Sequence, residues 1–125
     1  DPVRESWLGD SGLDFIRLVA PTTPVERMRE ISSHGRGFVY LISRLGVTGM
    51  SDGIASDLAP TVARLRGVTT LPICVGFGIS DVAQAAAVGR LADGVVVGSA
   101  LVQAAGRSVG EALGLAAALR SALDA

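Results

Sequence analysis

The sequence is poor in the residue types that would point to several common classes of protein. Of its 125 residues, 4% are aromatic, one is cysteine and one is histidine, and the formal net charge is −1. A charge this close to zero excludes the basic surface of a nucleic-acid-binding protein. Cys74 lies within an apolar run with no histidine near it in sequence, so we expect a buried, reduced, structural thiol rather than a nucleophile.

Long apolar runs are also missing. The longest stretch without a charged residue, residues 67–80, has 14 residues and contains Pro72 and several glycines, so it cannot span a membrane. No cationic and then apolar leader opens the chain, and we therefore expect no secretory signal. Together these absences predict a soluble, cytoplasmic protein with neither a nucleic acid nor a membrane as its partner.

What the chain does contain is enough apolar surface for one packed domain, at 49% of the residues. Short, almost continuously apolar runs rich in Val and Ile predict strands that are buried on both faces. A helix-like segment follows each run. The four predicted strands are Phe15–Ala20, Phe38–Ile42, Ile73–Phe77 and Val95–Val97.

Local signals predict where some of the helices begin and end. Thr23 is predicted as an N-cap, with Pro24 at the first helical position and Glu26 completing a capping box. Gly35 is predicted to end this helix in the left-handed conformation. A second helix is expected over Asp57–Arg66.

Further signals concern the second and third helices. Pro60 is expected in the first turn of the second helix, because a proline deeper in it would break the hydrogen-bond ladder. Ser80 is predicted to cap a third helix over Asp81–Val88. A short helix over Ser99–Ala104 and a longer one over Val109–Leu123 complete the prediction.

Strands that alternate with helices in this way predict an α/β fold with a parallel sheet and right-handed crossovers. An eight-unit (βα)₈ barrel needs about 250 residues, and this chain has room for half of one. We therefore predict a (βα)₄ portion of a TIM barrel over residues 13–125, preceded by an N-terminal remnant or a helix over residues 1–12.

Glycine-centred turns follow three of the predicted strands. They contain Gly46 and Gly49 after the second strand, Gly76 and Gly78 after the third, and Gly98 after the fourth. Glycines allow the backbone to approach a ligand, and the N-terminus of a following helix presents unpaired N–H groups. Three such turns at one edge of a sheet predict a site for an anion, most plausibly a phosphate.

The segments Phe38–Gly49, Leu71–Ser80 and Ala92–Val102 closely resemble the C-terminal half of tryptophan synthase α subunits, and Leu18–Thr22 fits the fifth strand of that family. The resemblance implies a (βα)₈ barrel that cleaves indole-3-glycerol phosphate to indole and glyceraldehyde 3-phosphate. It also implies a pyridoxal-phosphate-dependent β subunit as the partner that receives the indole. For this chain itself we expect no cofactor and no metal.

The resemblance also implies roles for particular residues. Tyr40 and Phe77 match residues of the substrate pocket, and Arg44 and Thr48 match a mobile loop that closes over the site. The residues that match the phosphate site are Gly49, Gly78, Ile79, Gly98 and Ser99.

The glutamate and aspartate that the family uses as acid and base belong to the N-terminal half of its barrel. No substitute pair is evident in this chain, and we expect it to be inactive in isolation. Asp14 and Asp93 precede strands and should lie at the opposite end of the sheet. Asp81 is expected to favour a helix dipole. Asp52 and Asp57 are the remaining acids near the second strand.

Two other functions remain open. The chain could be a non-catalytic half-barrel that serves as a phosphate-binding or assembly unit, or it could belong to another sugar-phosphate barrel, such as an isomerase of histidine biosynthesis. A half-barrel also leaves two strand edges and an inner face uncovered, so we expect it to pair with a missing N-terminal half or with itself. Predicted inner-face residues include Val39, Leu41, Cys74, Val95 and Val97.

Overall fold

The computed structural model describes residues 2–43, 51–76 and 78–125, with side chains described in all of these ranges except residues 51–57. Helices and strands alternate after a first short helix. They are α1 (Pro2–Asp10), β1 (Arg17–Val19), α2 (Val25–Ser33), β2 (Val39–Ile42), α3 (Ser51–Arg66), β3 (Ile73–Gly76), α4 (Val82–Gly89), β4 (Gly94–Val96), α5 (Ser99–Arg107) and α6 (Val109–Asp124).

The four strands form one parallel sheet in the order β1-β2-β3-β4. Each strand lies beside the one that precedes it in sequence, with a helix in the connection, as in consecutive units of a βα barrel. This arrangement confirms the predicted fold class, a parallel (βα)₄ portion of a TIM barrel.

Helices cover one face of the sheet. Val39, Leu41, Ile73 and Val75 point to that face and are completely buried. They pack with side chains of the surrounding helices, namely Met28, Leu58, Val62, Leu65, Ala85, Val88 and Leu119. Apolar residues at alternate strand positions therefore supply the core, as the pleat of a strand requires.

The other face of the sheet carries a second set of residues in register. One row across the four strands is Leu18, Tyr40, Cys74 and Gly94. Leu18 is 54% exposed, and the side chains of Tyr40 and Cys74 are half-buried.

The prediction for the inner face was therefore wrong for most of its residues. Val39 and Leu41 lie on the helix-covered face, and Val95 and Val97 pack against the core. Of the five residues predicted for the inner face, only Cys74 lies on the open face. The reason is that both faces of β2 and β3 are apolar in sequence, so composition alone does not show which alternate set faces the helices.

Two predicted helix ends also differ from the structure. Pro24, not Thr23, is the N-cap of α2, and the Thr23 hydroxyl instead accepts a hydrogen bond from the Ala20 N–H at 3.0 Å. At the other end, His34 is the C-cap with a φ of −96°. Gly35 is not left-handed, and the positive φ falls on Gly37, at 77°.

The second helix begins earlier than predicted. Because α3 starts at Ser51, Pro60 lies in its interior and not in its first turn. A proline there removes one backbone hydrogen bond. The helix nevertheless persists because Leu58, Val62 and Leu65 on the same segment are buried in the core.

At the end of the sheet where the strands begin, charged side chains connect neighbouring helices and strands. The Asp93 carboxylate accepts a hydrogen bond from the Ile73 N–H at 2.8 Å and pairs with Arg66 at 2.6 Å. The Arg66 hydrogen bond, followed by that from Ile73, lowers the pKa of Asp93. At the first strand, Arg17 pairs with Glu5 at 2.9 Å. Asp93 thus has the structural place that the sequence predicts.

Candidate phosphate-binding site

The candidate site lies at the carboxyl ends of β3 and β4. Gly76 and Val96 are partners in the register of these two strands. Gly78 and Gly98 each follow two residues after one of these partners, so the two turns leave the sheet at the same level and on neighbouring strands. The turns that contain Gly78 and Gly98 therefore lie at the same edge of the sheet, as their spacing in the sequence predicts.

The turn after β3 offers backbone groups rather than side chains. Gly78 has a φ of 87°, a value that residues other than glycine rarely adopt. The side chain of Ile79 is 4% exposed and belongs to the core cluster. Ile79 can therefore contribute only its backbone to a ligand, while its side chain anchors the turn.

Gln84 fixes this turn, and the sequence analysis did not identify it. Its side-chain oxygen accepts hydrogen bonds from the Ser80 N–H at 2.8 Å and from the Ser80 hydroxyl at 3.0 Å. Gln84 is 6% exposed, within the first turn of α4. Asp81, and not Ser80 as predicted, is the N-cap of α4, and it accepts a hydrogen bond from the Gln84 N–H at 2.8 Å.

The turn after β4 leads directly into α5. Gly98 is the N-cap of this helix and Ser99 is its first residue. The first intrahelical hydrogen bond runs from the Val102 N–H to the Gly98 oxygen at 3.0 Å, so the N–H groups before Val102 point out of the helix end. Apart from its adjoining residues and its own helix backbone, a Cβ on Gly98 would have no heavy atom within 4 Å, which leaves open space at the helix N-terminus.

Tyr40 lies on the open face of the sheet, beside this edge. Its ring crosses β3 at Gly76, where a Cβ would overlap the Tyr40 hydroxyl and come within 2.8 Å of Cζ. The same Cβ would be 2.9 Å from the Cβ of Val96. The absence of a side chain at Gly76 therefore allows Tyr40 to lie across the sheet toward the candidate site.

Several predicted site residues lie outside the described residues. These are Gly49 of the phosphate site, Phe77 of the pocket, and Arg44 and Thr48 of the loop. The other predicted site residues are described: Tyr40 lies on β2, and Gly78, Ile79, Gly98 and Ser99 follow the ends of β3 and β4.

The acids with described side chains have structural partners or lie elsewhere. Asp81 caps α4, and Asp93 is held by Arg66 at the opposite end of the sheet. Among the side chains that the structure describes, no three His, Cys, Asp or Glu groups lie close enough together to hold a metal ion. Burial, and then the charge of Asp93, raise the pKa of the Cys74 thiol, which favours its protonated form. The described part of the site therefore consists of the glycine turn after β3 and the N-terminus of α5.

In the part of the chain that the structure describes, none of the helices combines the length and the apolar character needed to cross a membrane.

Comparison with known proteins places the chain within one family. The family described as tryptophan synthase alpha chain matches residues 3–121. A tryptophan synthase alpha chain of Gloeobacter violaceus is 56% identical over 93 residues, which are 74% of this chain and 34% of the relative. Another, of Desulfatibacillum aliphaticivorans, is 53% identical over 94 residues, or 75% of this chain and 35% of the relative. The matched part of the chain thus spans about a third of the length of these curated relatives.

Solved structures give the same result. A structure of Mycobacterium tuberculosis tryptophan synthase superimposes with a TM-score of 0.82 at 38% identity, over 97% of this chain and 46% of the other. The alpha subunit from Legionella pneumophila superimposes with a TM-score of 0.78 at 31% identity, over 96% of this chain and 46% of the other. The four βα units thus have the curvature of about half of a complete barrel.

Proposed function

The chain belongs to the tryptophan synthase alpha chain family, and we propose that it carries the phosphate-binding part of an enzyme that cleaves indole-3-glycerol phosphate to indole and glyceraldehyde 3-phosphate in tryptophan biosynthesis. Family membership rules out the alternative of an isomerase of histidine biosynthesis. The observation that carries the proposal is the pair of glycine turns, at Gly78 and Gly98, that leave neighbouring strands at the same level.

The groups at these turns support phosphate binding as the proposal. The N–H groups of Gly78 and Ile79, together with those of Gly98 and Ser99, are the proposed donors, and the Ser99 hydroxyl is a further one. An anion at the start of α5 also gains from the positive end of the helix dipole. In the proposed arrangement Gly49 completes the phosphate site from the second turn.

The remaining substrate contacts are aromatic. We place the indole ring beside Tyr40, which lies across the open face of the sheet at Gly76, and beside Phe77. Arg44 and Thr48 belong to a loop that closes over the bound substrate. Closure would exclude water and strengthen the interactions with the reacting groups.

Bond cleavage needs a general acid and a general base in addition to these groups. We propose that a complementary N-terminal half-barrel supplies both carboxylates, and that indole passes to a β subunit. Such an enzyme would act in the cytoplasm. The alternative is a non-catalytic half-barrel that binds phosphate or assists assembly, and it predicts anion binding without any restored turnover.

A calorimetric titration with glycerol phosphate tests the binding step. Gly98→Val should abolish binding, because the side chain would occupy the open space where the phosphate is placed. Apart from the adjoining residues and the backbone of the same helix, no heavy atom lies within 4 Å of that Cβ, so a clash of the Cβ with the rest of the protein would not explain the loss. Gly114→Val is the matched control, since its Cβ also has open space but lies on α6. Equal affinities of wild type and Gly98→Val would contradict the proposed site.

Ser99→Ala should have a milder effect, on the order of 1 kcal/mol, because it removes one donor and keeps the backbone groups. A loss as complete as that of Gly98→Val would mean that the hydroxyl, rather than the backbone, holds the phosphate.

An assay of indole release tests the chemical step. The 125-residue chain alone should show no measurable cleavage, because phosphate binding does not replace the acid and the base. Addition of a separately produced N-terminal half should restore it. Turnover by the chain alone would contradict the proposal and would direct attention to Asp52 and Asp57. Binding of glycerol phosphate without restored turnover would favour the non-catalytic alternative.

A further inference from the structure

A cavity of about 450 Å³ lies at the end of the sheet where the strands begin, opposite the candidate phosphate site. One wall is the end of α2, and the other is the end of α3 with the segment that leads into β3. Because α2 connects β1 to β2 and α3 connects β2 to β3, both walls lie between neighbouring units of the chain itself. The volume is within the range of small-molecule sites.

Ser32, in the first wall, has a buried hydroxyl without a partner. The residue is 5% exposed, and its Oγ has no hydrogen bond within the part of the chain that the structure describes. The next residue differs, since the Ser33 hydroxyl donates to the Glu30 carbonyl oxygen at 2.7 Å, a bond that helical serines commonly make. An unpaired buried hydroxyl reduces stability, and few proteins retain one without a reason.

The position of Ser32 suggests that reason. Ser32 lines the cavity, and its side chain has a single torsion with three staggered positions. Rotation about that one bond can turn the hydroxyl toward a molecule in the cavity. The hydroxyl can then donate one hydrogen bond and accept others, so a bound molecule would satisfy the group that the folded chain leaves unpaired.

The other lining groups indicate which chemical class of molecule fits. Ser33, Thr69 and Thr70 add three more hydroxyl groups to the cavity wall, and each of them can both donate and accept. The Thr69 oxygen already accepts a hydrogen bond from the Leu71 N–H at 3.1 Å, so its proton is the group that it can offer. Val68 and Leu71, which pack against the core, supply apolar surface on the same wall.

The charges around the cavity favour a neutral molecule. Arg66 lines it, but its guanidinium is already paired with the Asp93 carboxylate at 2.6 Å. None of the described residues that line the cavity is acidic. Both α2 and α3 end at the cavity, and the C-terminal end of a helix carries a partial negative charge that opposes an anion.

We propose that this cavity binds a small neutral polyol of about the size of a monosaccharide, with the Ser32 hydroxyl as its buried contact. The hydroxyl side chains bond to the hydroxyl groups of the ligand, and Val68 and Leu71 contact its carbon skeleton. The site is separate from the proposed phosphate site, because the two lie at opposite ends of the strands.

A titration of the ¹⁵N-labelled chain with D-glucose, from about 0.1 to 100 mM, tests the proposal by amide chemical shifts. The amides of Ser32, Gly67 and Thr70 should shift with a common saturation curve, whereas those of Gly78 and Gly98 should not move. A cavity that holds only water would give no saturable shift, and that result would overturn the proposal. Saturable shifts of the cavity amides with sulfate in place of glucose would overturn the neutral class of ligand.

Ser32→Ala tests the buried contact. It should raise the dissociation constant for glucose about tenfold, as expected when one buried hydrogen bond is lost. Ser33→Ala is the matched control, because it removes the neighbouring hydroxyl, which already has a partner, and it should change the constant by about twofold or less. Equal affinities of wild type and Ser32→Ala would contradict the assigned contact.

The stability of the unliganded chain provides a second readout. Without glucose, Ser32→Ala should raise the midpoint of urea denaturation by on the order of 0.5 M, because it removes the unpaired hydroxyl. A lower midpoint would show that the hydroxyl is satisfied without a ligand and would overturn the proposal. Neither readout involves the glycine turns after β3 and β4, so failure here would leave the proposed function unaffected.

Discussion

The two ends of the sheet are built from different kinds of interaction. Where the strands begin, ion pairs and a carboxylate hold the elements together, as Asp93 does for β3 and Arg66. Where β3 and β4 end, the turns contain glycines, a buried isoleucine and a serine, and the buried amide of Gln84 fixes the turn after β3. The first end uses charge for stability, and the second keeps its backbone N–H groups available.

This difference follows the division of labour in βα barrels, in which ligands bind at the carboxyl ends of the strands. A site that binds an anion through backbone groups needs close approach, so side chains are small or turned into the core there. A charged pair at that end would compete with the ligand. The following substitutions test whether the two ends differ as this comparison requires, beginning with the largest expected effect.

Gly76→Ala should produce the largest loss of stability, about 3 kcal/mol, as expected for overpacking. The added Cβ would overlap the Tyr40 hydroxyl and lie 2.9 Å from the Cβ of Val96, so the ring and strand would have to move. Chemical denaturation measures the change in the free energy of unfolding.

Two further variants test whether the loss of stability comes from the contact of the new Cβ with Tyr40 or from any replacement of glycine by alanine. Gly114→Ala, in the interior of α6 with open space around its Cβ, should instead stabilise the chain by about 0.5–1 kcal/mol. Tyr40→Phe in the Gly76→Ala background should recover part of the loss, because it removes the atom that overlaps most. Full stability of Gly76→Ala would show that the close packing of Tyr40 on β3 is not required.

The positions of these glycines relative to the strands could be predicted from sequence, whereas the faces of the strands could not. Gly78 and Gly98 stand at fixed distances after apolar runs, and that spacing places them at one edge of any parallel sheet. Val39 and Tyr40, in contrast, are both compatible with burial, and only the packing of the helices decides which of them enters the core.

Two other differences concern residues for which the sequence offers more than one interpretation. The helix α2 ends before a segment with two glycines, and either of them could take the left-handed conformation. The pattern favours Gly35, but the positive φ is at Gly37. Gln84 has no distinctive signal, because an amide in the alanine-rich segment of α4 reads as a surface residue. Only the structure shows it to be buried against Ser80.

Gln84→Met tests how the turn that carries Gly78 is held. Methionine preserves the volume but removes the oxygen that accepts from the Ser80 N–H and hydroxyl. We expect a loss of about 1–2 kcal/mol in the free energy of unfolding, because the donors lose their partner, and a weaker affinity for glycerol phosphate. Gln103→Met is the matched control, since Gln103 is exposed on α5. Unchanged binding by Gln84→Met would show that the turn holds its shape without the amide.

Asp93→Asn should have the smallest effect, and the effect should depend on pH. The Arg66 hydrogen bond, and then that from Ile73, hold the pKa of Asp93 below its unfolded value of about 4. The carboxylate therefore contributes stability above that pH, and the contribution is lost as pH falls through the lower, folded pKa. The Arg66 and Asp93 side chains are 42% and 43% exposed, so solvent screening limits the contribution to about 0.2–1 kcal/mol at pH 7.

Denaturation of the wild type and Asp93→Asn at pH 7 and pH 3 measures this dependence, and the difference between them should shrink at pH 3. Asp124→Asn is the matched control, because its partner Arg120 lies on the same helix and the pair connects no strands. Asparagine at position 93 can still accept from the Ile73 N–H, so the pH-dependent part isolates the charge. An equal difference at both pH values would mean that hydrogen bonding, rather than charge, distinguishes this end of the sheet from the glycine turns at the other.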